Sequence, residues 1–148
     1  MRRSAGILLF RRNPEVQILL GHMGGPFWAR KDDGAWTIPK GEYTDEETAE
    51  QAARREFEEE LGLPVPAGEL VDLGEVKQSG KVVTVWALEG DIDLEKVVLG
   101  TFDMEWPKGS GKIKTFPELD RVAWFGLEDA RAKVVSAQRA FLDRISPR

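Results

Sequence analysis

The stretch PKGEYTDEETAEQAARREFEEELGL, Pro39 to Leu63, constrains the fold of this chain more than any other. Ala49, Ala52, Ala53, Phe57 and Leu61 recur at helical spacing, and Gly62 followed by Pro64 marks a stop. At the other end Thr44 has Glu47 three residues on, the signature of a capping box, so the pattern predicts a helix over 45–61. Asp45 and Glu46 suit the positive end of its dipole. The difficulty is Glu56, Glu58, Glu59 and Glu60, four carboxylates within five residues. At roughly 100° per residue, Glu56 and Glu60 fall within about 40° of each other and Glu59 about 60° from Glu56, while Glu58 points away. Three carboxylates thus converge beside the apolar stripe, near the helix end where the dipole disfavours negative charge. A divalent cation with oxygen ligands removes both objections. The plainer alternative, a solvated acidic face paired with Arg54 or Arg55, is what a Glu-rich helix ordinarily presents.

The rest of the chain supplies partners for that helix. Ser4 to Phe10 and Val16 to Leu20 read as strands of a hairpin around RRNPE. Gly21 to Gly34 reads as a long loop in which four glycines and a proline punctuate two aromatics and a charge cluster. Trp36 to Ile38 is a short apolar run, Glu69 to Lys77 and Val82 to Glu89 look like strands around QSGK, and Val122 to Phe125 looks like another. Leu127 to Lys133 and Ser136 to Ile145 have helical spacing. Strands, one capped helix, more strands and C-terminal helices predict an α+β chain with a mixed sheet flanked by helices, in one domain over 1–148.

Composition narrows the function classes. A net charge of −5 argues against a nucleic-acid binder, yet leaves open small anionic ligands at a locally cationic or metal-bearing cleft. The absence of cysteine removes disulfides and thiolate chemistry and fits a cytoplasmic chain. The apolar run Ala5 to Phe10 is too short to span a membrane. KGSGK at 108–112 lacks the upstream glycine and following Ser or Thr of a P-loop, and DIDLEK at 91–96 lacks an EF-hand's glycine. The lone His22, with no second histidine or any cysteine, reads as a loop residue.

From Gly41 the chain runs five residues to Glu47, seven more, then Arg55-Glu56-Phe57-Glu58-Glu59-Glu60-Leu61-Gly62-Leu63. This resembles the Nudix box, G-x5-E-x7-R-E-U-x-E-E-x-G-U with U bulky and apolar, at every defined position. WTIPKG ahead of it and ELDRVAWF near the end are similar to the same family. The resemblance implies a Nudix fold, a mixed sheet sandwiched between helices, and hydrolysis of a nucleoside diphosphate linked to another group. It further implies Mg²⁺, or Mn²⁺, held by Glu56, Glu59 and Glu60 with the Gly41 carbonyl as a further ligand. Arg55 would orient the carboxylates and Glu47 support it. The general base is Glu59 or a glutamate from a late loop, for which Glu118 and Glu105 are the candidates.

The PKG triplet at 39–41 resembles hydrolases of dinucleoside polyphosphates and diphosphoinositol polyphosphates, which makes Lys40 a phosphate contact. Arg30, Lys31, Lys81, Lys108, Lys112 and Lys114 are further cations of loops and strand ends. Phe27, Trp28, Trp36 and Trp106 are candidates for base stacking, with Trp36 favoured as core and Trp86 and Trp124 assigned to it. The expected partner is a small nucleotide or polyphosphate such as Ap4A, with no nucleic acid or membrane, on a monomer or homodimer. The alternatives are an NTP or oxidised-dNTP pyrophosphatase and a non-catalytic nucleotide sensor.

Overall fold

The computed structural model describes residues 2–145. Strands β1 (Arg2–Arg12) and β2 (Val16–Met23) form the expected hairpin, longer than the sequence reading at both strands. They pair directly only near the turn, from Phe10↔Ile18 to Arg12↔Val16. Beyond that they part, and the segment after Trp36 enters the fork. Its strand β3 (Trp36–Thr37) pairs with β2, and β4 (Lys40–Tyr43) pairs with β1 from Arg3 to Gly6. Gly6 makes that approach possible, since a Cβ there would lie 2.4 Å from the Pro39 carbonyl oxygen. The fork therefore presents Lys40 and Gly41 at a fixed place on the sheet.

On the other edge of β1 lies β6 (Lys81–Glu89) in parallel, followed by antiparallel β5 (Val71–Gln78), while β9 (Leu119–Gly126) pairs antiparallel with β2. The sheet is mixed, as expected. Helix α1 (Ala49–Leu61) packs on one face; α2 (Leu127–Lys133) and α3 (Arg139–Arg144) cover the other. Alternation along β1 explains the two layers. Ile7 and Leu9 meet Ala52, Ala53, Phe57 and Leu61 of α1, whereas Leu8 and Phe10 join Ala130, Phe141 and Leu142. Because both faces are covered, Ala5 to Phe10 is an unbroken apolar run with every residue buried. A separate two-stranded ribbon, β7 (Thr101–Glu105) with β8 (Ile113–Pro117), stands off this sheet. Among the described residues no helix is long and apolar enough to cross a membrane.

Four expectations need correction. The α1 N-cap is Thr48, whose hydroxyl accepts from Gln51 N while the Gln51 side chain accepts from Thr48 N. Thr44 instead closes a turn, with its hydroxyl accepting from Glu46 N at 3.3 Å, so residues 45–48 precede the helix. Thr44…Glu47 and Thr48…Gln51 are equivalent as sequence patterns; the second wins because the Glu47 carboxylate is taken by Arg55. His22 is a fully buried residue of β2, outside any loop. Trp86 and Trp124 are only partly buried, packed at the margin of the α1-side core rather than inside it. Strands β4, β7 and β8 were absent from the sequence reading altogether.

Candidate active site

Helix α1 projects its last two turns of carboxylates toward the fork holding β4. The face assignment follows helical geometry: Glu60 is buried with Phe57 and Leu61, Glu56 is largely covered, and Glu59 has a side chain 58% exposed. Glu58 points away and accepts from Val65 N at 3.4 Å, which fits its place on the opposite side. Gly41 forms a notch for Glu56, because a Cβ at Gly41 would stand 2.0 Å from the Glu56 carboxylate. Any larger residue there would displace that side chain.

Arg55 ties the carboxylates together. Its Nε donates to both Glu47 oxygens at 3.1 Å, and its Nη1 donates to Glu56 at 3.0 Å and to Glu59 at 3.1 Å. Its Nη2 reaches the Glu42 carbonyl oxygen at 3.4 Å, anchoring the helix to β4. These partners raise the Arg55 value, chiefly through Glu47, and the same contact lowers Glu47. A guanidinium with a planar fork can hold several carboxylates at once, which an ammonium cannot do with fixed geometry.

Glu60 has no such partner. Its Oε2 is buried without any hydrogen bond. Burial pushes its carboxyl up to about 9, reinforced by Glu56 and Glu118 and opposed by Lys40. Burial also raises Glu56, against the pull of Arg55. Lys40 is lowered, first by burial and then by Lys81, with Glu60, Glu42 and Glu56 opposing. Lys40, Glu60 and Glu56 therefore share one small, poorly solvated volume, with the half-exposed Glu42 at its margin. Lys81, one of the many cations named from sequence, is at its edge, 3.7 Å from Glu42.

The two late-loop glutamates separate cleanly. Glu118 is raised by burial and by Glu59 and in turn shifts Glu56 and Glu60, so it faces the cluster. Its backbone is held on both sides: Glu118 N donates to Gly100 O at 2.8 Å, and Gly24 N donates to Glu118 O at 2.9 Å. Gly100 N also donates to Glu60 O at 3.3 Å, and a Cβ at Gly100 would lie 2.8 Å from the Glu59 carbonyl. Gly100 thus stitches the end of α1 to Glu118, a role with no signal in the sequence beyond the glycine itself. Glu105 accepts from Gly109 N at 2.8 Å and Gly111 N at 3.0 Å and serves the turn of the ribbon. Arg30 is exposed in the loop after β2 and makes no ion pair with the cluster among the described residues. Trp28 packs partly against the core on the α2 side.

The donor set suits a hard divalent cation: carboxylates at Glu56, Glu59 and Glu60, one of them with a buried unpaired oxygen, beside the Gly41 carbonyl. Among the described residues no three acidic or imidazole side chains already stand as a ready-made ligand array. Arg55 instead engages two of the carboxylates, Glu56 at 3.0 Å and Glu59 at 3.1 Å.

A family model described as NUDIX domain matches residues 1–145. The chain is similar to the RNA pyrophosphohydrolase of Alkalilimnicola ehrlichii, 46% identical over 52 residues, which are 34% of this chain and 29% of that protein. It is also similar to the RNA pyrophosphohydrolase of Hahella chejuensis, 42% identical over 60 residues, 39% of this chain and 37% of that one. The chain thus spans about a third of the length of the curated relatives it matches. In fold it is similar to a C. elegans Ap4A hydrolase in a binary complex, with a TM-score of 0.67, 23% identity, and coverage of 97% of this chain and 94% of that one. The NUDIX domain of Shewanella oneidensis NrtR complexed with ADP ribose gives a TM-score of 0.62 at 16% identity, covering 96% and 84%.

Proposed function

The chain belongs to the Nudix family, and from that premise we propose that it is a divalent-metal-dependent pyrophosphohydrolase whose substrate is a nucleotide with an extended phosphate chain, such as Ap4A. The buried, unpaired Oε2 of Glu60 beside Glu56 carries this reading. Burying carboxylates without partners costs several kcal/mol, so such a group is retained where a ligand compensates it. Mg²⁺ or Mn²⁺ fits, held by Glu56, Glu59, Glu60 and the Gly41 carbonyl. Bound there, such an ion would neutralise phosphate charge and lower the barrier to attack at phosphorus.

The protein's own residues would do the rest. Arg55 holds Glu56 and Glu59 in place and is a positioning residue. Lys40, on β4 beside Glu60, would bind phosphate oxygens with its ammonium. Glu118 and Glu59 compete for the role of general base. Glu118 is the stronger candidate, because burial, with Glu59 beside it, raises its carboxyl and so makes it the stronger base, and because Arg55 already engages Glu59. The name shared by the matched relatives, RNA pyrophosphohydrolase, adds a 5′-triphosphate terminus to the substrates worth testing.

The test is a screen for phosphoanhydride cleavage with Mg²⁺ or Mn²⁺ across Ap4A, Ap6A, ADP-ribose, NADH, NTPs, 8-oxo-dGTP, a diphosphoinositol phosphate and 5′-triphosphate RNA, with Glu60→Gln in parallel. Cleavage of one class, lost in the variant and with EDTA, supports the reading and names the substrate. No turnover with either metal would overturn it in favour of a nucleotide sensor.

A further inference from the structure

The chain's single histidine is buried where the proposed chemistry does not use it. His22 Nδ1 lies 2.8 Å from the Asp120 carboxylate, and Nε2 lies 2.6 Å from the Lys31 carbonyl oxygen. Both partners accept hydrogen bonds, whereas a neutral imidazole carries one N–H, so satisfying both contacts takes a proton on each ring nitrogen. The buried positive charge is balanced by Asp120, which also has the Arg121 guanidinium 3.6 Å away. On the other side Trp36 meets the ring edge-on, with centroids 5.2 Å apart, and Asp32 beyond it is taken by Lys133.

The His22–Asp120 contact sits on a β-bulge. Strands β2 and β9 run in register as far as His22↔Arg121, but the next pair is Met23↔Leu119, which leaves Asp120 as an extra residue on β9. A bulge sets two residues opposite one, so Asp120 reaches His22 while its neighbour Arg121 lies over Trp36 on the same face. One extra residue also inverts the alternation ahead of it, which sends Leu119 into the α1-side core against Gly21. Glu118 comes immediately before. Its carbonyl accepts from Gly24 N at 2.9 Å. Gly21, His22 and Gly24 thus hold Leu119, Asp120 and Glu118 in turn, and the place of Glu118 depends on the bulge.

We propose that His22, as a doubly protonated ring, locks the Asp120 bulge and is thereby a positioning residue for Glu118, an inference that rests on the function proposed above. The ring has no part in proton transfer to substrate, because it is fully buried and neither nitrogen is open. Its second contact, to Lys31, ties down the loop after β2 whose first residue holds the Glu118 carbonyl. A proton on each nitrogen is what lets one side chain fasten both segments at once.

The test uses the untagged whole chain, in which one histidine gives unambiguous ring signals. Nitrogen-15 NMR under assay conditions should show a proton on both ring nitrogens of His22. Asp120→Asn, whose amide can donate, should leave Nδ1 bare. His22→Gln and Asp120→Asn should each lower kcat about tenfold on the substrate that the screen identifies, with KM and calorimetric Mg²⁺ affinity within about twofold of wild type, because neither touches α1. In a Glu118→Gln background His22→Gln should cost less than about twofold more, since the group it positions is already gone. Hydrogen exchange reads the lock without turnover: His22→Gln should speed the Gly24 amide about tenfold more than the amides of Ile7 to Leu9 in β1. A bare ring nitrogen in the wild type, losses that multiply in full with Glu118→Gln, or a uniform rise in exchange would each overturn the proposal. If the wild-type chain cleaves nothing yet shows both ring protons and the local change in exchange, the lock on Glu118 stands and the proposed hydrolysis falls.

Discussion

Two buried polar side chains flank the segment from Trp36 to Lys40, one on each face of the sheet, and they are handled in opposite ways. Gln138, fully buried on the α3 side, is saturated: its Oε1 accepts from Ile38 N at 2.9 Å, and its Nε2 donates to Thr37 at 2.9 Å and Gln78 at 3.0 Å. Glu60, buried on the α1 side, leaves an oxygen unpaired and is driven toward its neutral form. Buried polar groups in stable folds are nearly always satisfied, so the first is a strut, whereas the second keeps an open acceptor of the kind the proposed metal site needs. The same strand segment is thus clamped from one side in order to present Lys40 and Gly41 on the other.

The sharpest way to break this contrast is to neutralise Glu60. Glu60→Gln should cut kcat by about 10³-fold, as expected when a main electrostatic stabiliser of the reacting phosphate is lost. Thermal unfolding of the metal-free variant at pH 8 should show equal or higher stability than wild type, since a charge forced toward an apolar site has been removed. A large fall in stability instead would mark Glu60 as a second strut and remove the difference between the two sites.

Acidity separates them next. The folded-state value of Glu60 lies well above the ordinary 4.5, at about 9, so the folded state holds this proton more tightly than the unfolded state. Its contribution to stability is complete below about pH 4.5 and is lost as pH rises toward about 9. Metal-free protein should lose thermal stability across that window, and Glu60→Gln should flatten the slope. A divalent cation favours the ionised carboxylate, so Mg²⁺ should bind more tightly as pH rises and release protons on binding. Calorimetry in buffers of different ionisation enthalpy reads that release; its absence would detach Glu60 from the metal. Gln138 carries no ionisable group and should contribute nothing to either slope.

The converse substitution weakens the strut. Gln138→Leu leaves the Ile38 N–H and the Gln78 side chain without their buried partner, which should cost about 1–3 kcal/mol in urea unfolding. Activity per folded molecule should fall less than tenfold, because no group of the carboxylate cluster is touched. A loss of activity as large as that of Glu60→Gln would show that the clamp on Ile38 sets the geometry of Lys40.

How much of this was legible in sequence differs between the two faces. The helix faces of Glu56, Glu58, Glu59 and Glu60 were legible, because helical spacing fixes where i, i+3 and i+4 point. Glu118 was found only as one of two late-loop candidates. The long-range packing that brings it to the cluster through Gly100 and Gly24 has no local signature. The strut was invisible, since Gln138 meets Ile38 across a hundred residues of chain. Helix α2 was read to the residue, its apolar and charged positions being distinct. The ribbon β7–β8 escaped because it packs no core: its residues are mostly exposed, and without burial the alternation that reveals a strand is not selected.

The smallest effect separates two threonines that sequence alone ranks the wrong way. Thr44 and Thr48 each precede a Glu or Gln by three residues, yet only Thr48 caps α1. Thr48→Ala should cost about 1 kcal/mol, the usual worth of an N-cap, whereas Thr44→Ala should cost a few tenths. The reason lies in the active site. Glu47 lies on the loop before α1 so that its carboxylate can hold Arg55 against Glu56 and Glu59; a helix begun at Thr44 would place Glu47 at N3, folded back on Thr44 N and away from Arg55. Glu47→Gln tests this directly. It should lower kcat about tenfold by loosening Arg55, while the helix content seen by circular dichroism stays unchanged. If Thr44→Ala proved the costlier of the two, the helix would start a turn earlier in solution and Glu47 would belong to its cap, leaving Arg55 with only the carboxylates it is meant to position.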